Sequence, residues 1–215
     1  MRCRLLTTAL AATALLSFPL RAQQYLSLDS TRSITSGNFL GLALDITNLS
    51  GAATNGRTYS GGGLNGELSY GFTPEFAAFI DGSVAGVRRN DTGFGYATHV
   101  DVDLRDHFAD PARRLIPFAE LAFTQRALLF LNVLENESQT DIEAGAGTLS
   151  GAAITIGAGT LYFFRPRWAL RGAARFTTGT IEITRAEAGG ETAVALNAQS
   201  VRLNLGVTWF RNIGP

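Results

Sequence analysis

A histidine, an aspartate and a serine on two predicted neighbouring strands come nearest to a hydrolytic site. His99 and Asp101 are two residues apart, and Ser83 can face them from the next strand. A serine hydrolase needs a nucleophile, a base and an orienting acid within hydrogen-bonding distance. The segment His-Val-Asp contains no serine, and its strand parity turns His99 toward a face rich in charges. We therefore interpret His99 as a polar residue within a charge network, and place His107 beside a short turn.

Two further patterns suggest ligand binding only weakly. Asp101 and Asp103 lie on one strand face and could contact a cation, but no additional oxygen ligands accompany them. The resemblance of Gly61-Gly-Gly63 to a phosphate-binding loop is only superficial, because no helix is predicted to follow it. The sequence therefore predicts no catalytic residue, no cofactor-binding residue and no metal ligand.

Charged residues of both signs share the polar parity of the predicted strands. They are six acids and five bases: Asp45, Glu67, Asp81, Asp101, Asp103, Glu120, Arg105, Arg126, Arg171, Arg175 and Arg202. Eight strands enclose a space that side chains just fill, so charges facing inward must neutralise one another. We predict that at least one of Arg171, Arg175 and Arg202 bonds a carboxylate of strands 2 to 5. The pairs that we consider are Arg175 with Glu120, and Arg202 with Glu67.

A strict alternation of apolar and polar residues defines the elements that carry these charges. It is clearest over residues 199–210, where Val201, Leu203, Leu205, Val207 and Trp209 share one parity. The same period predicts eight strands, with cores at 40–46, 64–72, 76–84, 96–105, 119–126, 154–162, 168–177 and 199–210. Phe79 interrupts the third. Longer loops are predicted at 50–60, 88–95, 135–147 and 185–197, and short turns with proline follow strands 2, 4 and 6.

The N-terminus has the features of an export signal. Two arginines precede an apolar run from Leu5 to Phe18, and Ala22 offers a small residue for cleavage. We divide the chain into a signal peptide (1–22), a lead-in (23–37) and a β-barrel (38–215). All 18 basic residues are arginine and the net charge is zero. No basic patch with interleaved aromatics is present, so we predict no nucleic-acid partner.

The period of two does not decide whether the apolar face meets lipid or fills a core. A soluble lipocalin-like barrel would place its charges in water. Aromatic residues near the short turns and the C-terminal end favour a membrane, because they suit an interfacial girdle. These are Tyr70, Phe72, Phe76, Phe108, Phe118, Tyr162, Phe163, Phe164, Trp168, Trp209 and Phe210.

The signal, the eight strands, the loop asymmetry and the Trp209-Phe210 pair near the C-terminus resemble the small outer-membrane barrels that include the OmpA transmembrane domain, OmpX and Opa-like proteins. Those barrels usually end on the aromatic itself, so the tail 211–215 is a departure. The resemblance implies an all-β, eight-stranded antiparallel up-and-down transmembrane barrel in the outer membrane of a Gram-negative cell. It implies contact with membrane lipid and lipopolysaccharide as a monomer, without a cofactor. No peptidoglycan-binding domain follows the barrel segment, unlike in the OmpA arrangement.

The role that we expect is non-enzymatic, either structural or in surface interaction with an unidentified extracellular ligand. Three alternatives remain open. They are a narrow low-conductance pore, a lipid A-modifying hydrolase and a soluble lipocalin-like binding barrel.

Overall fold

The computed structural model describes residue 35 and residues 37–51, 58–89, 93–108, 113–130, 148–187 and 190–211. Eight antiparallel strands in these residues close into one barrel, with β8 paired to β1, which confirms the predicted fold class. The strands are β1 (Gly37–Gly51), β2 (Tyr59–Gly71), β3 (Phe76–Arg89), β4 (Gly93–His107), β5 (Leu115–Phe130), β6 (Thr148–Arg165), β7 (Trp168–Glu187) and β8 (Gly190–Arg211). The described part of the chain contains no helix long and apolar enough to cross a membrane.

The two faces of the sheet differ in the way that the alternation predicts. Leu205 is 66% exposed on the outer wall, whereas Arg202 is fully buried inside the barrel. Exposed leucine, isoleucine, valine and phenylalanine side chains continue around all eight strands. A soluble barrel would turn this apolar surface inward, so the lipocalin-like alternative is wrong.

The turn between β2 and β3 shows how the sequence ends a strand at the short-turn end. Pro74 cannot donate to a ladder, and the hydroxyl of Thr73 accepts bonds from the amides of Glu75 and Phe76, at 3.2 and 3.0 Å. The amide of Phe72 closes the hairpin on the Phe76 carbonyl at 2.9 Å. The start of β1 and the end of β8 lie at this same end of the barrel.

The opposite end, which we call the loop end, differs from the prediction. The strand bounds leave only residues 90–92 between β3 and β4, so the predicted loop 88–95 is shorter than expected, whereas residues 52–57 and 131–147 lie outside the described residues. The predicted loop 185–197 is wrong, since β7 continues to Glu187 and β8 begins at Gly190. The paired register joins Ile183 to Val194 and Glu187 to Gly190, so the hairpin extends beyond the pairing of β6 with β7.

The predicted signal peptide (1–22) lies outside the described residues and stays a prediction, as do the boundaries of the lead-in and barrel. Of the lead-in, Thr35 and Gly37 are described, and Gly37 is the first residue of β1. The Thr35 hydroxyl donates a 2.6 Å bond to the carbonyl of Pro74 in the β2–β3 turn.

The interior of the barrel has three layers. An apolar layer near the short turns contains Phe39, Ile116, Phe118, Phe163 and Phe210 among its members. A second apolar layer near the loop end consists of Leu49, Ala85, Val87, Ala97, Leu128, Leu149, Ile181 and Ala198. Buried charged and polar side chains occupy the space between the two layers.

Candidate functional site: the charge network of the barrel interior

All eleven charged residues selected by parity lie buried inside the barrel, each at most 5% exposed. Seven of the eight strands contribute them, and β6 faces them with small side chains. We call these eleven residues the lumenal charge network.

Arg105 stands at the centre of the network. Its Nη2 donates to Glu67 Oε2 at 2.8 Å and to Glu120 Oε2 at 3.2 Å. The guanidinium also lies between two rings, 4.2 Å from the centroid of Phe79 and 4.3 Å from that of Phe118. A planar cation can combine these contacts because its edge forms hydrogen bonds while its faces stack. Phe79, which interrupts the predicted alternation, is therefore part of the site.

Arg175 joins three carboxylates from three strands. It donates through Nε to Glu120 and through Nη1 to Asp81, and its Nη1 lies 3.4 Å from Asp101 Oδ2. Gly157 lies between Glu120 and Arg175 in the register, and a Cβ there would come within 2.6 Å of Glu120 Oε1. The missing side chain makes room for the ion pair. The pair Arg175 and Glu120 considered from parity is thus in contact.

The remaining two arginines of β7 and β8 extend the network. Arg171 donates to Glu67 and, at 2.6 Å, to the Asn65 side-chain oxygen. Arg202 donates to Asp101 at 2.6 Å rather than to Glu67, so the second pair considered from parity does not form. The connected ion pairs run without interruption from Arg171 to Arg202.

Three members of the network make no ion pair among the described residues. Asp45 accepts bonds from Thr47 at 3.1 Å and from the Asn204 amide at 3.0 Å. Arg126 donates only to the carbonyl of Ala198, at 2.8 Å. Both carboxylate oxygens of Asp103 are buried without a hydrogen-bond partner.

His99 does not assemble a catalytic relay. Its Nε2 lies 3.4 Å from Ser200 Oγ, and its Nδ1 has no partner in the described structure. Ser83 is opposite His99 in the register, yet its hydroxyl makes no described hydrogen bond. Asp101 is held by two arginines instead of the imidazole. These side chains lie inside the barrel, away from both lipid and the aqueous phases.

Three carboxylates of the lumenal charge network come together. One oxygen from each of Asp81, Asp101 and Asp103 lies within 4.8 Å of the others, which adds Asp81 to the two residues considered from sequence. Arg175 and Arg202 already supply positive charge to Asp81 and Asp101. Asp81 and Asp101 therefore belong to the ion-pair system, whereas Asp103 has no partner among the described residues.

Part of the predicted aromatic girdle is wrong. Phe118, Phe163 and Phe210 are buried in the interior, where Phe210 stacks on Phe39 with centroids 4.8 Å apart. Their parity is that of the charged residues, so strand geometry prevails over the interfacial preference of phenylalanine. The girdle side chains that are at least 36% exposed are Tyr70, Phe72, Phe76, Phe108, Tyr162, Phe164 and Trp168.

The comparisons with known proteins concern the fold. No protein-family model and no curated protein matches the chain. The crystal structure of Neisserial surface protein A is similar with a TM-score of 0.60 at 12% identity, over 82% of this chain and 98% of that chain. The solid-state NMR structure of the outer-membrane protein AlkL in lipid bilayers gives 0.51 at 12% identity, over 92% and 97%. With its continuous apolar outer wall, the chain is a small eight-stranded β-barrel of the outer membrane.

Proposed function

We propose that the protein is a closed, non-enzymatic barrel that anchors a surface-exposed loop end in the outer membrane and does not conduct solutes. The observation that carries the proposal is the layered interior. Apolar side chains occupy the barrel above and below the lumenal charge network, so ions entering from either side meet a desolvated layer.

The layer near the short turns is tightly packed. Phe210 lies between Phe39 and Phe163, with ring centroids 4.8 and 5.0 Å away, and all three side chains are buried. Buried aromatic contacts of this kind exclude water. At the loop end, Leu49, Val87 and Ile181 give a similar apolar layer.

The charge network also opposes conduction. Four of its five guanidinium groups bond to carboxylates of other strands, as between Arg171 and Glu67. A conducting pore would need these pairs to separate and hydrate, and a lone buried charge is costly. The network therefore supports a rigid interior instead of a path for ions.

The positions of the histidines support a non-enzymatic role. A lipid A hydrolase must present its nucleophile to a substrate in the outer leaflet, whereas His99 and Ser83 are buried inside the barrel. His107 lies at the short-turn end, with its Nδ1 3.1 Å from the carbonyl of Glu75. Neither histidine faces the lipid on the loop side.

The proposal includes the surroundings of the barrel. Lipid and lipopolysaccharide cover its outer wall, it acts as a monomer, and its external ligand contacts the loop end. The name of Neisserial surface protein A, which has a similar fold, is in keeping with a surface role.

Planar-bilayer recording tests whether the barrel is closed. We expect no discrete single-channel conductance from the refolded protein in concentrated KCl. The double variant Phe39→Ala with Phe210→Ala loosens the layer near the short turns. It should remain non-conducting, because the lumenal charge network and the layer near the loop end persist. Regular single-channel steps from the unaltered protein would overturn the closed barrel and support the narrow pore.

Two matched cysteine variants test the orientation. Thr58 lies beside the loop end and Glu75 lies in a short turn, and both side chains are exposed. We expect a membrane-impermeant maleimide to label Thr58→Cys on intact cells and to label Glu75→Cys only after permeabilisation. The opposite result would reverse the proposed display of the loop end. Mass spectrometry of lipid A with and without the gene tests the hydrolase alternative, for which we expect no difference.

A further inference from the structure

A groove of about 770 Å³ runs along the outer wall near the short-turn end. Four outward-facing apolar residues from four strands line its membrane side: Leu40, Leu68, Ile80 and Val102. Each of them is at least 55% exposed. Its volume is within the range of roughly 300–1,000 Å³ found for ligand-binding clefts.

The strand register orders the groove from apolar to polar. Leu40 pairs with Leu68 and Trp209, so these residues are neighbours across three adjacent strands of the wall. One step nearer the short turns, Asn38 pairs with Arg211 and also with Tyr70. An apolar trough that ends in an arginine, an amide and two interfacial aromatics has the polarity of a lipid molecule.

A small residue keeps the groove open between its walls. Ala78 pairs with Tyr70 on β2 and with Leu104 on β4, and all three side chains face outward. Both neighbours are large, and Ala78 lines the groove between them. A bulky side chain at this position would fill the space.

The described side chains at the polar end of the groove carry an excess of positive charge. Arg211 is exposed and forms no ion pair within the described part of the chain. The described side chains around the short turns include the arginines Arg113, Arg114, Arg165, Arg167 and Arg211, against the acids Glu75 and Asp106. This excess of arginine lies at the height of lipid headgroups, where each arginine attracts anionic lipid.

We propose that the groove binds an anionic glycerophospholipid of the periplasmic leaflet. Arg211 donates charge-assisted hydrogen bonds to its phosphate, and the Asn38 amide donates to a phosphate or ester oxygen. One acyl chain lies along Leu40, Leu68 and Ile80. This site concerns the outer wall, so it does not depend on the closed interior proposed above.

Fluorescence quenching in vesicles tests the site, because the chain has two tryptophans and Trp209 lines the groove. In a Trp168→Phe background, the protein is refolded into phosphatidylcholine vesicles that contain a minor fraction of brominated phosphatidylglycerol or brominated phosphatidylcholine. We expect stronger quenching by phosphatidylglycerol, corresponding to a roughly fivefold or greater preference for the anionic lipid. Inorganic phosphate at millimolar concentration should not relieve the quenching if the ligand is a lipid.

Three variants locate the preference within the groove. Arg211→Gln should abolish it by removing the phosphate ligand, and Ala78→Phe should abolish it by filling the trough with the charge intact. Arg113→Gln is the matched control, since it removes an exposed arginine of another turn and should keep most of the preference. Heat-modifiability on gels verifies that each variant is folded.

Equal quenching by the two brominated lipids in the parent protein would overturn the proposal. An equal loss in Arg113→Gln and Arg211→Gln would also overturn it, since the preference would then come from the summed surface potential. Relief by inorganic phosphate would show a phosphate site without lipid selection, which contradicts a glycerophospholipid site as well.

Discussion

Glu67 and Leu68 are consecutive residues of β2 that occupy opposite environments. Glu67 is 2% exposed and meets two arginines inside the barrel, whereas Leu68 is 62% exposed on the outer wall. Leu68 needs only lipid beside it. Glu67 needs arginine partners from β4 and β7, so the free energy of burying its carboxylate depends on side chains distant in sequence.

This difference predicts two kinds of response to substitution. Substitutions on the inner wall should cause large and non-additive losses in the free energy of unfolding, because each charge has several partners. For substitutions on the outer wall, the loss should depend on membrane depth and little on neighbouring side chains.

The largest loss is expected from Glu67→Ala. It leaves the guanidinium groups of Arg105 and Arg171 without their shared carboxylate, and breaking a buried pair costs about 3–5 kcal/mol. The free energy of unfolding is measured in urea on protein refolded into vesicles. Leu68→Ala, on the adjacent outward position, is the matched control and should cost much less.

A double-mutant cycle measures the coupling within the same site. Glu67→Ala with Arg171→Ala should be less destabilising than the sum of the single changes, because the double variant leaves fewer unpaired charges. Arg175→Ala with Glu120→Ala should behave in the same way. Weaker coupling is expected for Arg202 with Glu67, which are not bonded. Additive losses in both bonded cycles would contradict the network.

The sequence predicts which side chains face the barrel interior, but it does not predict which of them bond to one another. Parity alone identifies Glu67, Arg175 and Arg202 as inward residues, since consecutive side chains of a strand alternate. Whether Arg202 meets Glu67 or Asp101 depends on the stagger between strands and on the reach of each side chain. A period of two contains no information about either.

Two errors come from weighing a general preference above a local pattern. Phe118, Phe163 and Phe210 share the inward parity, yet their positions near strand ends suggested an interfacial girdle. The segment 185–197 contains polar and small residues typical of a loop, but Gly189-Gly190 is a turn signal that permits two long paired strands. Phe79 interrupts the alternation of strand 3 because it is an apolar residue at an inward position. The guanidinium that it stacks on, Arg105, belongs to another strand.

On the outer wall, Leu205→Arg should cost about 2–4 kcal/mol of barrel stability, because Leu205 lies near the expected bilayer midplane. The same urea titration measures the loss. Val201→Arg is the matched control on the same strand and face, four residues closer to the loop end, and should cost less. Equal losses at the two positions, or none at Leu205, would contradict the proposed depth of the strand.

A glycine inside the barrel should tolerate less change than one outside it. Gly157→Ala places a methyl group against the Glu120 carboxylate and should cost about 1–3 kcal/mol, as overpacking does. Gly172→Ala is the control, because no atom lies within 4 Å of its added Cβ. If both variants unfold at the same urea concentration, Gly157 does not hold space for the Arg175–Glu120 pair.

The smallest effect, and the only expected gain, concerns Asp103. Its carboxylate is buried without a partner, and oxygens of Asp81 and Asp101 lie within 4.8 Å of it. Asp103→Asn removes one negative charge from this cluster, and the new amide can donate to the unpartnered Oδ1 atoms of Asp81 or Asp101. We expect a gain of about 1 kcal/mol in the free energy of unfolding. Asp101→Asn has similar size but weakens the bonds from Arg175 and Arg202, so it should destabilise the barrel. If Asp103→Asn instead costs as much as Asp101→Asn, the Asp103 carboxylate has a positive partner in the membrane, and the division of the interior into paired and unpaired charges would need revision.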